Sequence, residues 1–181
     1  MADENFAMVI CADPQLKKHF LDQTDQAVWL IPDTYENEIK EILETNISIL
    51  PNIDSPEDYK MLIQAMCVLK TCKERLAIIR HHLKGLQYRW DRLHKEALKF
   101  IGTKYYVQLN AVRDSTRKQL LIDSLEPITS GVEKLDYLLE VAEAAQKHLE
   151  DINWAIRNSS EMISNYFGAM RVVAPAILKE I

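Results

Sequence analysis

The sequence predicts an all-α fold in which long heptad-repeat helices form a helical hairpin or coiled-coil bundle that assembles as a homo-oligomer. Three observations lead there. Successive positions Leu62, Ala65, Leu69, Cys72, Leu76, Ile79, Leu83, Leu86, Trp90, Leu93, Ala97 and Phe100 are all apolar and spaced 3, 4, 3, 4 without a break. That is the repeat a coiled-coil seam demands. A second seam with the same spacing runs through Leu135, Leu138, Ala142, Ala145, Leu149, Ile152, Ile156, Ser159, Ile163 and Tyr166, with Ser159 its one polar member. Finally, the chain is 48% apolar yet holds only four Gly and six Pro, which leaves few tight turns and favours long helices over strands.

Taken in order, residues 1–54 read as an acidic helical arm. Pro14 to Ile31 fits one amphipathic helix with Leu16, Phe20, Ala27, Trp29 and Leu30 as its apolar residues. Pro32 breaks it, and Thr34 can cap a second helix to about Leu50, with Ile39, Ile42, Leu43 and Ile47 on one side. A short loop, Pro51 to Asp54, follows. Ser55-Pro56-Glu57-Asp58 is a helix start: a hydroxyl cap, Pro at the first position, and acid facing the helix dipole. The long helix then runs to Gly102, a residue suited to ending it. A weaker helix is expected over 104–123, with Ser124 as the cap of the next, which runs from about Leu125 to Phe167 and stops at Gly168. Residues 55–168 thus form a core with a basic face, and 169–181 an apolar tail.

A seam of twelve positions needs a partner helix, from this chain or from another copy. Leu139, Val141, Ala155 and Met162 widen the second stripe beyond one neighbour, which points to a homo-oligomer. Leu69, Leu76, Leu83, Trp90, Leu135, Leu138, Leu149, Ile152, Ile156 and Ile163 are the expected oligomerisation residues. Ser159, alone among apolar seam positions, is expected to fix register at a cost in stability, so that Leu there would raise the melting temperature.

The net charge of −5 conceals a strong asymmetry. Residues 1–59 carry 3 basic and 13 acidic side chains, residues 60–118 carry 14 and 4, and residues 119–181 carry 5 and 10. A basic middle flanked by acid is a partner signal. Its candidates for binding nucleic acid are Lys70, Lys73, Arg75, Arg80, Lys84, Tyr88, Arg89, Arg92, Lys95, Lys99, Lys104, Arg113, Arg117 and Lys118, with Tyr105 and Tyr106 beside them. Cations outside the seam and interleaved with aromatics suit a single strand, whose phosphates take the charge while bases stack on rings. Pairing with an acidic protein and a plain solvated face are the alternatives. The acidic arm is further expected to cover part of the basic face.

Enzymatic chemistry finds no motif. The chain has no Gly-rich phosphate loop, no HExxH and no nucleophile elbow, and no cofactor is expected. His81 and His82 are adjacent, so on a helix they point about 100° apart and cannot chelate from one face; no metal is expected. Cys11, Cys67 and Cys72 form no CxxC pair and read as reduced thiols of a cytoplasmic protein. No apolar run is long enough to span a membrane, and the patch from Phe6 to Ala12 is too short for a signal sequence.

The order of parts resembles the UvsY family of bacteriophage recombination mediators. The similarity lies in Leu83-Lys84-Gly85-Leu86-Gln87-Tyr88-Arg89-Trp90, then Lys104-Tyr105-Tyr106, then Glu150-Asp151-Ile152-Asn153-Trp154-Ala155-Ile156-Arg157 and the ending Phe167-Gly168. It covers roughly residues 60–168. The resemblance implies a small helical protein that self-assembles, binds single-stranded DNA with its basic residues facing the strand, and helps load a RecA-type recombinase in a phage-infected bacterial host. Failing that, the chain reads as a coiled-coil adaptor or virion-assembly component that binds an acidic protein.

Overall fold

The computed structural model describes residues 9–50 and 55–177, apart from the side chains of Pro56 and of residues 162–177. The loop expected at Pro51–Asp54, the first eight residues and the last four lie outside them, as do the side chains of Met162, Ile163 and Tyr166. The described chain is all-α, with no strand. Its longer helices are α1 (Thr34–Glu44), α2 (Pro56–Lys104), α3 (Asp114–Ser124) and α4 (Glu126–Ile177).

The helix starts follow capping chemistry. Ser55 Oγ accepts from the Asp58 amide at 3.1 Å, while Asp58 Oδ2 accepts from the Ser55 amide at 3.0 Å. This reciprocal pair satisfies two donors that a helix start would otherwise leave open. Asp13 does similar work at Pro14, its carboxylate accepting from the Gln15 amide at 2.9 Å. The helical stretch behind it is irregular and shorter than expected: an α-turn Pro14–Leu16, a π segment Lys17–Leu21, and an α-turn Asp22–Thr24. The chain then turns extended at Gln26 and makes only a 3₁₀ turn, Ala27–Trp29. Helix α1 ends at Glu44 rather than Leu50.

The two glycines expected to end the long helices do not. Helix α2 passes Gly102 and ends at Lys104, and among the described residues no glycine has a positive φ. A helical Gly costs about 1 kcal/mol, and here tertiary contacts of Lys104 and Tyr105, described below, hold the last turn. Helix α4 likewise continues through Gly168 to Ile177, so residues 169–177 extend the helix and are no separate tail. The single helix expected over 104–123 is divided into Tyr106–Asn110 and α3.

The described residues fall into two compact units. One holds residues 9–36 and 79–140; the other holds 37–78 and 141–177. Residues 9–50 are therefore spread over both units.

In the first unit, Leu83, Leu86, Trp90, Leu93, Ala97 and Ile101 of α2 are buried with Leu125, Ile128, Leu135 and Leu138 and with Ile10, Leu16 and Ile31. Helices α2 and α4 run antiparallel here, marked by a 2.7 Å hydrogen bond from Gln87 Nε2 to Asp136 Oδ1 and by Trp90 lying over Gly131. The buried stripe leaves the heptad at its end: Ile101, not Phe100, is fully buried. A straight α-helix drifts about 20° per heptad against a strict 3.5 repeat. After several heptads without supercoiling, the next inward position is one residue later.

The second unit buries Ile39, Ile42 and Ile47 with Leu62, Ala65, Leu69, Cys72 and Leu76 and with Ala142, Ala145, Leu149, Ile152 and Ile156. Taken together, the nine described oligomerisation candidates (Leu69, Leu76, Leu83, Trp90, Leu135, Leu138, Leu149, Ile152 and Ile156) are all buried within one chain. The seams find their cover in cis, because residues 9–50 and the antiparallel helices supply the apolar surface for which a second copy was expected. The tenth candidate, Ile163, lies outside the described side chains.

Ser159 has a specific partner in this unit. It is 6% exposed, and its hydroxyl lies 3.1 Å from the Leu50 carbonyl and 3.1 Å from that of Ala155. The expectation for Ser159→Leu is thereby reversed. Leucine would crowd a filled position and remove the hydroxyl from a half-buried carbonyl, at about 1–3 kcal/mol. Thermal melts should show a lower midpoint; a higher one would mean that the Leu50 contact contributes nothing.

Candidate nucleic-acid interface

The basic residues divide by what already holds them. Residues 9–50 take several. In the second unit, Arg75 Nη2 lies 3.3 Å from Glu41 Oε2. In the first, Arg89 Nη1 donates to the Val28 carbonyl at 3.4 Å, and Lys104 Nζ lies 2.6 Å from Asp13 Oδ2 and 3.2 Å from Gln15 Oε1. Lys134 of α4 is paired with Asp33 at 2.5 Å. The acidic segment therefore reaches cations on α2, as expected of a cover, but on the flanks of the helix.

Asp13 anchors this arrangement from a nearly fully buried position. Burial pushes its carboxyl up, but the Lys104 ammonium, the Tyr105 hydroxyl at 2.7 Å and the amides of Gln15 and Leu16 outweigh that and bring it down to about 2. Tyr105 is pushed up to about 12 by burial and by its bond to Asp13. Tyr105 is thus a structural residue and no stacking platform, whereas Tyr106 is 65% exposed. Because the folded carboxyl lies below its ordinary 3.8, its contribution is complete above that pH and lost as pH falls toward 2. A drop of nearly two units corresponds to about 2 kcal/mol. Urea denaturation of the native protein and Asp13→Asn should show a gap at pH 7 that has shrunk to about a third by pH 2.5. A gap independent of pH would contradict the assignment.

Other candidates are also engaged. Arg117 closes its own turn, with Nε 2.9 Å from the Leu109 carbonyl and Nη1 3.4 Å from Asp114. Lys70 pairs loosely with Glu74 at 3.8 Å, and Arg92 Nε bonds Glu96 Oε1 at 2.8 Å, which raises its already high pKa. Lys73 and Arg80 are half-buried. Tyr35 takes His82, its hydroxyl 2.8 Å from Nδ1. Among the described residues no three His, Cys, Asp or Glu side chains converge as a metal site, and the three cysteines are free thiols.

What remains is an ordered set. Lys84, Lys95 and Lys99 are exposed, and Tyr88 is 71% exposed. Their spacings of 4, 7 and 4 place all four within about 60° on α2, at 3.6 residues per turn. The buried Leu86, Trp90, Leu93 and Ala97 lie on the opposite side. From Lys84 to Lys99 the stripe is about 22 Å long. Arg92, with its Glu96 partner, flanks it. Arg113 and Lys118 are exposed in the same unit, but before and on α3. Of the fourteen candidates, the structure brings together Lys84, Tyr88, Arg92, Lys95 and Lys99 on one face. Lys70, Lys73 and Arg75 belong to the other unit.

Sequence reasoning passed over the Asp13–Lys104–Tyr105 cluster. The Asp-Pro pair at 13–14 was a visible cap signal, but nothing local to it points 91 residues away to Lys104. Comparison of the chain with family models, curated proteins and solved structures gives no match.

Proposed function

We propose that the protein is a non-enzymatic accessory factor of the recombination-mediator kind: a helical hairpin that self-assembles, binds single-stranded DNA along the outer stripe of α2, and presents it to a RecA-type recombinase. The observation that carries the reading is the stripe itself. Three lysines and an exposed tyrosine share one face while Arg89 and Lys104 of the same unit are held by residues 9–36. A flexible strand can follow such a row, with phosphates on the lysines and a base on the ring. Base-edge readout has no counterpart on this surface, so binding is expected without sequence preference.

Self-assembly in this reading does not use the seams, which are filled. It uses outward surface such as Tyr59, Ile63 and Met66, spaced i, i+4, i+7 on α2 and each about half exposed. A second reading, an adaptor for an acidic protein, is favoured by the Glu41–Arg75 and Asp13–Lys104 pairs, since they show acidic polypeptide seated on this helix. Anisotropy of a labelled single strand, with an acidic peptide as competitor, separates the two. Tight binding that the peptide displaces only weakly supports the mediator; capture of the peptide without binding of the strand supports the adaptor.

A further inference from the structure

Where the stripe ends, α2 and the N-terminal helical turns enclose an open groove of about 570 Å³ lined by Gln15, Glu96, Lys99, Phe100, Thr103 and Lys104. Its volume falls within the roughly 300–1,000 Å³ of small-ligand pockets. Phe100 lies in its wall as a half-buried ring. Phe20 braces it, centroid to centroid 5.6 Å at 47°, and the Lys104 ammonium sits 5.3 Å from its centre. Position 100 left the seam to Ile101, and the ring is consequently held in a groove and not in the core.

We propose that this groove is a base-binding pocket: a nucleobase of the bound strand enters it and stacks on Phe100 while its phosphate stays on Lys99. The proposal rests on the stripe reading and names what that site takes. Charge complementarity selects the occupant. Lys99 is both the last cation of the stripe and part of the groove wall, so a polyanion laid along Lys84 and Lys95 arrives at the groove with its next phosphate in place. Lys104 cannot serve that phosphate, being fixed on Asp13 at 2.6 Å. The polar groups of the rim are engaged within the protein: Thr103 donates to the Lys99 carbonyl at 2.8 Å, Gln15 Oε1 accepts from Lys104 at 3.2 Å, and Glu96 Oε1 holds Arg92 at 2.8 Å. Every base has a π-face, so such a pocket strengthens binding without reading sequence.

The test compares a labelled oligothymidylate with a strand of equal length that is abasic throughout, so that the phosphates are the same and only the bases differ. The native protein is expected to prefer the base-bearing strand by roughly tenfold, the value of one stacked base. Phe100→Leu keeps an apolar side chain against Phe20 and removes the ring. It should abolish that preference while leaving affinity for the abasic strand and the salt slope unchanged. Thr103→Leu, which fills the groove from an exposed helix position, should do the same even if Phe100→Leu folds poorly. Equal affinity of the native protein for the two strands overturns the pocket, as does a preference that survives both variants. If Lys84→Glu with Lys95→Glu weakens both strands while the groove variants change neither, the stripe stands and the pocket is wrong. If the native protein binds neither strand, the stripe reading fails and the pocket with it.

Discussion

Replacing Trp90 with Ala is expected to lower stability by about 3–5 kcal/mol, the range for removing a buried aromatic. Trp90 is 5% exposed, packs edge-on against Trp29 at 6.0 Å, and donates its indole N–H to the Trp29 carbonyl at 3.2 Å. It thereby ties the segment before α1 to α2 and both to α4. The indole fits only because residue 131 is glycine: a Cβ there would stand 2.5 Å from Cη2 and 2.6 Å from Cε3. Gly131→Ala provides the sharper check. Inside a helix, Ala should gain about 1 kcal/mol over Gly, but forcing a methyl into a filled core costs about 1–3 kcal/mol. Three ring atoms crowd the site and the indole is tethered at its nitrogen, so net destabilisation is expected in urea denaturation. A stabilised Gly131→Ala would mean that Trp90 is not seated on α4 at this point.

Changing Lys84, Lys95 and Lys99 together to Glu is expected to weaken single-strand binding a hundredfold or more, about 3 kcal/mol. All three side chains are exposed and lie away from the buried stripe, so helicity and melting temperature should hold. Reversing Arg75, Lys104 and Arg117 provides the contrast. These residues already serve Glu41, Asp13 and the Leu109 carbonyl, and their loss should lower stability more than it lowers affinity. Circular dichroism beside anisotropy reads both quantities. If the second set lowers affinity more at unchanged stability, the stripe is misplaced.

Periodicity made much of this fold legible. Positions from Leu62 to Ala97 and from Leu135 to Ser159 are inward because apolar spacing near 3.6 defines a helix face whatever covers it. The cover was not legible. A seam reports that a partner helix exists but not whose, and residues 9–50 proved to be part of the answer through Ile10, Leu16, Ile39 and Ile42. Nor was the fate of Gly102, since a glycine permits a helix to end and does not compel it. Charge showed which helix is basic, but not that Arg89 and Lys104 would be held by segments 61 and more residues away. Tyr88 and Tyr105 look alike in sequence. One is solvent-facing and the other half-buried with its hydroxyl on Asp13, a difference set entirely by tertiary contacts.

The most direct measurement of the central claim is the affinity of the native protein for a single strand across a salt series. With about four phosphates neutralised by Lys84, Arg92, Lys95 and Lys99, log K should fall against log salt with a slope near −3. Each lysine removed singly should flatten that slope by a little under one unit, about 0.7. A slope near zero, or no binding at about 50 mM salt, where such contacts are strong, would contradict the stripe as a nucleic-acid interface and assign it to an acidic protein.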